Sequence, residues 1–181
     1  MGTEKQNALL PHLERALGSF SGWGFAEPEW NVPFSAFRWP NSPETGINTL
    51  VSFGLARHLL RGRRQEILLA LRPTWDEVAM HIIVSVGMYV LDRHLPLNLG
   101  ETVGIPPQLE TATRTLEVVS AEELAEGLGV CLEYEPPVEI LWLMPTGVND
   151  RFVLGPGSES PVELTSARPT MRAEPPPPAD S

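Results

Sequence analysis

The sequence predicts an α+β fold in which a mostly antiparallel sheet packs with one long, largely buried helix. Three observations predict it. Two apolar runs of β character, 47–55 and 65–71, are joined by a short arginine- and glycine-rich turn, which makes them antiparallel neighbours at the centre of a sheet. An apolar stretch of helical periodicity follows, from Trp75 to about His94. The order is then helix, strands, helix, strands, without the regular alternation of a parallel sheet.

The 181 residues suffice for one domain with a real core and are too few for two comfortable ones. We place that domain at 1–154. The Pro- and Ser-rich remainder, 155–181, ends in four consecutive prolines and reads as a disordered tail. Apolar residues make up 42% of the chain, an ordinary globular value.

The elements follow in order. Leu9, Leu10, Leu13 and Leu17 recur at helical spacing, Pro11 suits a first turn and Gly18 can end the helix, so 1–18 holds a short helix. Residues 19–45 hold seven of the 13 aromatic residues: Phe20, Trp23, Phe25, Trp30, Phe34, Phe37 and Trp39. Within them 32–39 forms an edge strand bounded by Pro33 and Pro40. In the central pair, Ile47, Thr49, Val51, Phe53 and Leu55 share one face, the mark of a strand with one buried side. After the polar start Gln65-Glu66, the run to Leu71 is apolar on both faces, as in a more central strand.

Thr74 and Glu77 have the spacing of a capping box at the start of the long helix. Only Glu77, His81, Ser85 and Asp92 form a polar stripe on it, so its flank either meets other elements, the favoured reading, or is a partner site. Beyond Pro96, short strands are expected at 97–105, 114–119, 130–134 and 138–144. One or two helical turns fall at 121–126, and a few paired residues at 152–154.

The succession Trp39-Pro40, Gly46-x-x-Thr49-Leu50-Val51-Ser52-x-Gly54-Leu55 and Arg64-Gln65-Glu66-Ile67-Leu68-Leu69-Ala70-Leu71 resembles the suppressor-of-fused domain family. Gly100-Glu101-Thr102-Val103 and the strand 140–145 continue the pattern in order, so the resemblance covers roughly 9–153. The family often has an acidic residue shortly after the late proline; here Pro145 is followed by Thr-Gly-Val-Asn-Asp, which makes Asp150 the candidate for that place. The resemblance implies a suppressor-of-fused-like α/β sandwich, with Gly46, Thr49, Gly54 and Gly100 as structural positions. The animal members bind and restrain transcription factors of the hedgehog pathway through an extended peptide held between two domains. This chain has length for the first of those domains only, so that site does not carry over residue by residue. The short single-domain type resembles bacterial proteins of polymorphic toxin systems, thought to act as immunity proteins.

The net charge of −10 repels nucleic-acid backbones and anionic membranes and suits a basic protein partner, beside its use for solubility. The single cysteine, Cys131, has no partner for an intramolecular disulfide and belongs to no zinc framework in the sequence, and its strand setting suggests a buried, inert thiol. No basic segment followed by an apolar run opens the sequence, and His81 and Ser85 interrupt the apolar helix, so a cytoplasmic chain without a membrane span is expected.

No catalytic set, P-loop, cofactor motif or metal motif is recognisable. The histidines His12, His58, His81 and His94 are scattered, and His81 with Ser85 and Glu77 reads as a solvated helix stripe. Two features carry candidate binding residues. Trp23, Trp30, Phe37 and Trp39 either cap the core beneath a long loop or form an aromatic recognition surface. Arg61, Arg63 and Arg64 form either an exposed hairpin tip or a contact for a carboxylate or phosphate. Glu66 opens an apolar strand, so it sits in water at the sheet's edge or pairs with Arg57 or Arg64, a structural ion pair rather than a general base.

The expected function is non-enzymatic binding of a protein, with a basic toxin domain as partner. A peptide-binding regulatory adaptor using a sheet edge is the alternative. A small hydrolase with a site in the aromatic region is the third reading.

Overall fold

The β-branched and apolar runs of the chain build one sheet of eight strands, seen in a computed structural model that describes residues 8–20, 24–25 and 32–155. The helices are α1 (Leu9–Leu17) and α2 (Asp76–Arg93). The strands are β1 (Gly24–Phe25), β2 (Ser35–Trp39), β3 (Asn48–Phe53), β4 (Arg64–Leu71), β5 (Thr102–Gly104), β6 (Thr115–Ser120), β7 (Val130–Cys131) and β8 (Val138–Pro145). Their order is β1-β2-β3-β4-β8-β6-β5, with β7 on the free side of β8's first residues. The expected α+β class and the antiparallel pairing of β3 with β4 are both observed. One pair is parallel: β4 lies beside β8, from Arg64 opposite Val138 to Leu68 opposite Trp142.

The period of two divides the core into two layers. Leu50, Ile67, Leu69, Leu141 and Leu143 face α2, where they meet Ile82, Ile83 and Val86. Val51, Leu68, Ile140 and Trp142 face the other way, onto Leu9, Leu13 and Leu17 of α1. Each such fully buried aliphatic side chain contributes about 1.5–3 kcal/mol, so a charged substitution at Leu68 or Ile83 would break the layer it belongs to.

Several local expectations are corrected. β3 is buried on both faces, since it lies between β2 and β4 with a helical layer on each side. Its polar side chains are satisfied inside: Asn48 Nδ2 donates to Asp76 (2.8 Å) and Thr49 Oγ1 to the Ser42 carbonyl (2.6 Å). β2 is not the edge, because β1 pairs outside it.

No capping box forms at α2. A 3-10 turn at Pro73–Trp75 precedes the helix, Trp75 takes the cap position without a side-chain bond, and Thr74 and Glu77 lie exposed. Asp76 instead accepts from Arg38 Nη1 (2.9 Å) and Asn48, tying the helix start to the sheet.

The strand expected at 130–134 is two residues long, and its buried side is that of Cys131, as its strand setting suggested. Pairing of Cys131 with Val138 turns the thiol into the α1 layer, and leaves Val130 and Leu132 44% and 75% exposed. Residues 152–154 form no strand, although the Phe152 and Leu154 carbonyls accept from Arg72 and Thr113 N–H. Leu154 itself is fully buried, so the core reaches the end of the proposed domain. Beyond Gly155 the proposed tail lies outside the described residues.

Candidate functional site

Glu66 stands on the α1 face of β4, in phase with Leu68, and is fully buried. The ladder between β3 and β4 ends at Val51 and Leu68. From there Ser52 substitutes its hydroxyl for the next strand partner, accepting the Ile67 N–H at 2.9 Å. Gly54 then adopts a left-handed φ of +111° and the chain enters a 3-10 turn at Leu55–Arg57. The amides at this turn have no helical partner and converge on the carboxyl group. Glu66 Oε1 accepts from Gly54 N–H (2.8 Å) and Ala56 N–H (3.0 Å), and Oε2 is hydrogen-bonded to the Ser52 hydroxyl.

Burial pushes the Glu66 carboxyl up to about 7, against the opposing pull of the Ser52 and backbone hydrogen bonds. The expected ion pair is absent: none of the described salt bridges includes Glu66, and Arg64 Nη1 donates to the Ala56 carbonyl instead (2.9 Å). The turn's amides do for the carboxyl what an arginine was expected to do. A niche of about 430 Å³ lies over this group, bounded by Leu9, Phe53, Arg57, Arg64, Tyr134 and Glu135.

The other sequence-derived residues do not converge. Arg61 is exposed in a left-handed turn conformation with φ +46°. Arg63 is held by Glu139, with Nε at 3.2 Å from both carboxylate oxygens and Nη2 at 2.6 Å from one, and by Asn98 Oδ1 at 2.8 Å. Arg61, Arg63 and Arg64 are therefore not a shared anion contact: two of the three spend their donors on the chain itself.

Trp39 is 1% exposed, donates Nε1–H to the Gly18 carbonyl (3.1 Å), and belongs to the core rather than to a recognition surface. Phe37 is half-buried and packs on Phe20 and Phe53, with centroids at 5.2 and 4.8 Å. Trp23 and Trp30 lie outside the described residues. Gly46 and Gly100 both adopt a φ of +83° that favours glycine, as their structural reading requires. Asp150 accepts from Phe152 N–H and Arg72 and is held below the usual carboxylate range by those bonds. It borders an open cleft of about 1120 Å³ with Trp75, Thr113 and Thr146.

Two further groupings stand out, the first of them only in three dimensions. α1 brings His12 against Cys131 and Glu133, whose ligand atoms all lie within 4.8 Å of one another. The second is an acidic lobe. Between Arg114 and Arg151 the sequence holds no basic residue, and Glu122, Glu123, Glu126, Glu133 and Glu135 are exposed in that stretch, as are Val130 and Leu132, with Arg15 of α1 paired to Glu133. Glu122 is held low by the Gly127 and Gly129 amides. Glu133 is held down to about 2 by its hydrogen bonds from Arg15 and the Cys131 thiol. Both stay ionised at any physiological pH. The acidic count of the sequence pointed to such a surface, but the exposure of Val130 and Leu132 depended on the β7 register.

No protein-family model matches the sequence, and no curated protein matches it. Among solved structures, the chain is similar to a crystal structure from Neisseria gonorrhoeae described as a suppressor-of-fused protein homolog. The two share 22% sequence identity over 80% of this chain and 78% of that one, with a TM-score of 0.53. Together with the sheet and helix described above, this likeness shows a suppressor-of-fused-like fold.

Proposed function

We propose that this chain, with its suppressor-of-fused-like fold, is a non-enzymatic protein-binding domain that sequesters a basic partner. In a bacterial polymorphic toxin system it would be the immunity protein that occludes a toxin. The observation that carries this reading is the acidic lobe: two exposed aliphatic side chains, Val130 and Leu132, set among carboxylates with no basic residue in the same stretch of chain. A small apolar centre with a charged rim is the anatomy of a protein contact. Carboxylates of one sign accelerate capture of a basic surface and weaken with salt.

The non-enzymatic reading draws support from Glu66, since its oxygens are already engaged by Ser52 and two amides of its own chain. Support for a strand-addition adaptor is thinner, as the described sheet ends in β1 and β5, of two and three residues.

The test is retention of partners from native lysate by the intact chain at low and high salt, beside the variants Glu123→Lys/Glu126→Lys and Leu132→Asp. The reading expects one basic protein, held near stoichiometry at low salt and released by both variants. Retention that ignores salt and both variants would overturn it, and so would a captured partner that is acidic.

A further inference from the structure

We propose that His12, Cys131 and Glu133 form a binding site for a thiophilic divalent cation, zinc foremost, that clamps the acidic lobe to α1. The three groups come from distant parts of the sequence and differ in chemistry: one imidazole nitrogen, one thiol sulfur and one carboxylate oxygen. Their ligand atoms all lie within 4.8 Å of one another. Cys131 Sγ and Glu133 Oε2 are already 3.2 Å apart. A tetrahedral zinc ion with bonds of about 2.0–2.3 Å sets its ligand atoms roughly 3.5 Å from one another, so side-chain rotation closes the remaining gap.

The tautomer of His12 supports the assignment. Its Nε2 lies 3.4 Å from the Leu128 carbonyl oxygen, which can only accept, and its Nδ1 lies 3.4 Å from Arg15 Nη2, which can only donate. Both contacts require the Nε2–H form with a lone pair on Nδ1. That is the arrangement of a metal-binding histidine, whose second nitrogen is fixed by a backbone carbonyl. The ring is 6% exposed and the thiol is buried, whereas the Glu133 side chain is 43% exposed and leaves an approach from solvent.

The charges also balance. At present the Arg15 guanidinium sits on both Glu133 and His12 Nδ1, and the Cys131 thiol donates its proton to Glu133 Oε2. A dication would take the place of the guanidinium and of that proton, so the net charge of the cluster stays at zero. The Arg15 side chain is 65% exposed and can swing into water without loss of packing. Binding therefore releases one proton, and a water completes the four-coordinate shell.

Cobalt(II) added to the chelator-treated full-length chain tests this directly, with zinc as competitor. The expected result is one equivalent of cobalt with a thiolate-to-metal charge-transfer band, abolished by zinc. Cys131→Ser should abolish the band, and His12→Gln should weaken binding at least tenfold. Arg15→Ala, which removes the competing cation, should leave affinity unchanged or raise it. Circular dichroism of each variant separates lost binding from lost folding. Absence of the band in both the native chain and Arg15→Ala at millimolar cobalt would overturn the site. So would binding without a thiolate band that Cys131→Ser leaves intact, which would mark adventitious carboxylate binding.

Discussion

The substitution Glu66→Gln should make the protein more stable at alkaline pH and abolish one component of its pH dependence. The carbonyl of the introduced amide side chain can accept the Gly54 and Ala56 N–H groups as Oε1 does now, and its NH₂ can donate to the Ser52 hydroxyl, as a protonated carboxyl would. The native chain keeps the proton on Glu66 up to about 7, whereas in the unfolded chain the carboxyl titrates near its ordinary 4.5. Between those values the native state therefore binds more protons than the unfolded state, and stability falls as pH rises. It is fully present below about pH 4.5, and lost by the time the pH has passed 7. That interval corresponds to roughly 3 kcal/mol.

The carboxyls held low, Glu101, Glu122, Glu133 and Asp150, act in the opposite direction and in a separate window, below the ordinary carboxylate range. Urea unfolding of both proteins from about pH 5 to pH 9 isolates the Glu66 contribution as the difference between the two curves. The two should lie closest at the acid end. By about pH 8 the native chain should have lost about 3 kcal/mol relative to the glutamine variant. A difference constant across this range would refute the reasoning, because it would mean that the three donors offset burial and the carboxyl ionises normally. A difference of opposite slope would mean that they overcome it.

Three further outcomes follow from the same geometry. Gly54→Ala forces a side chain into φ +111° at the turn that carries the amides onto Glu66, and should lower stability by about 1–2 kcal/mol in urea unfolding. Trp39→Ala empties a fully packed site and should cost about 3–5 kcal/mol. Trp39→Phe, read by partner retention at equal folded fraction, should leave binding unchanged, since the ring is core and not surface. Cys131 in the metal-free native chain should react with a disulfide reagent at about pH 8 far more slowly than in the unfolded chain, because its thiol is buried and held up to about 11. Equal rates would place the thiol at the surface.

The fold was legible where the chain repeats a simple period. The two runs around Arg57–Arg64 paired as neighbours because a short link leaves antiparallel pairing as the available geometry, and the long apolar stretch after Trp75 could bury itself as a helix. Misreadings occurred where a turn displaces an element or a pairing ends early. A 3-10 turn displaced the start of α2 to Asp76, so the Thr74–Glu77 spacing made no cap. At β7 the pairing stops after Cys131 opposite Val138, so the strand expected to reach 134 is two residues long and Leu132 lies exposed beyond it.

The error at Glu66 has a more general cause. A charged residue in an apolar strand demands a partner, and side chains are the only partners a sequence displays. Here the partners are amides freed by a left-handed glycine and a 3-10 turn, which a side-chain inventory cannot show. The signal that could have found them is Gly54 itself, directly after a strand and followed by Leu55. A conformation open chiefly to glycine at that point turns consecutive N–H groups to one side, where an acceptor on the neighbouring strand can collect them. Glu66 is the acidic residue on that neighbour, and it is placed among apolar side chains in the α1 layer. The carboxyl thereby ties the end of β3 to β4 by hydrogen bonds that ionisation strengthens, but by less than the cost of placing a charge in this buried site. The same turn brings Arg57 into the lining of the niche, which Tyr134 and Glu135 also border. Ionisation of Glu66 should therefore loosen this corner of the α1 layer before it affects the α2 layer, a difference that amide hydrogen exchange at Ala56 and at Ile83, compared at about pH 5 and pH 8, can resolve.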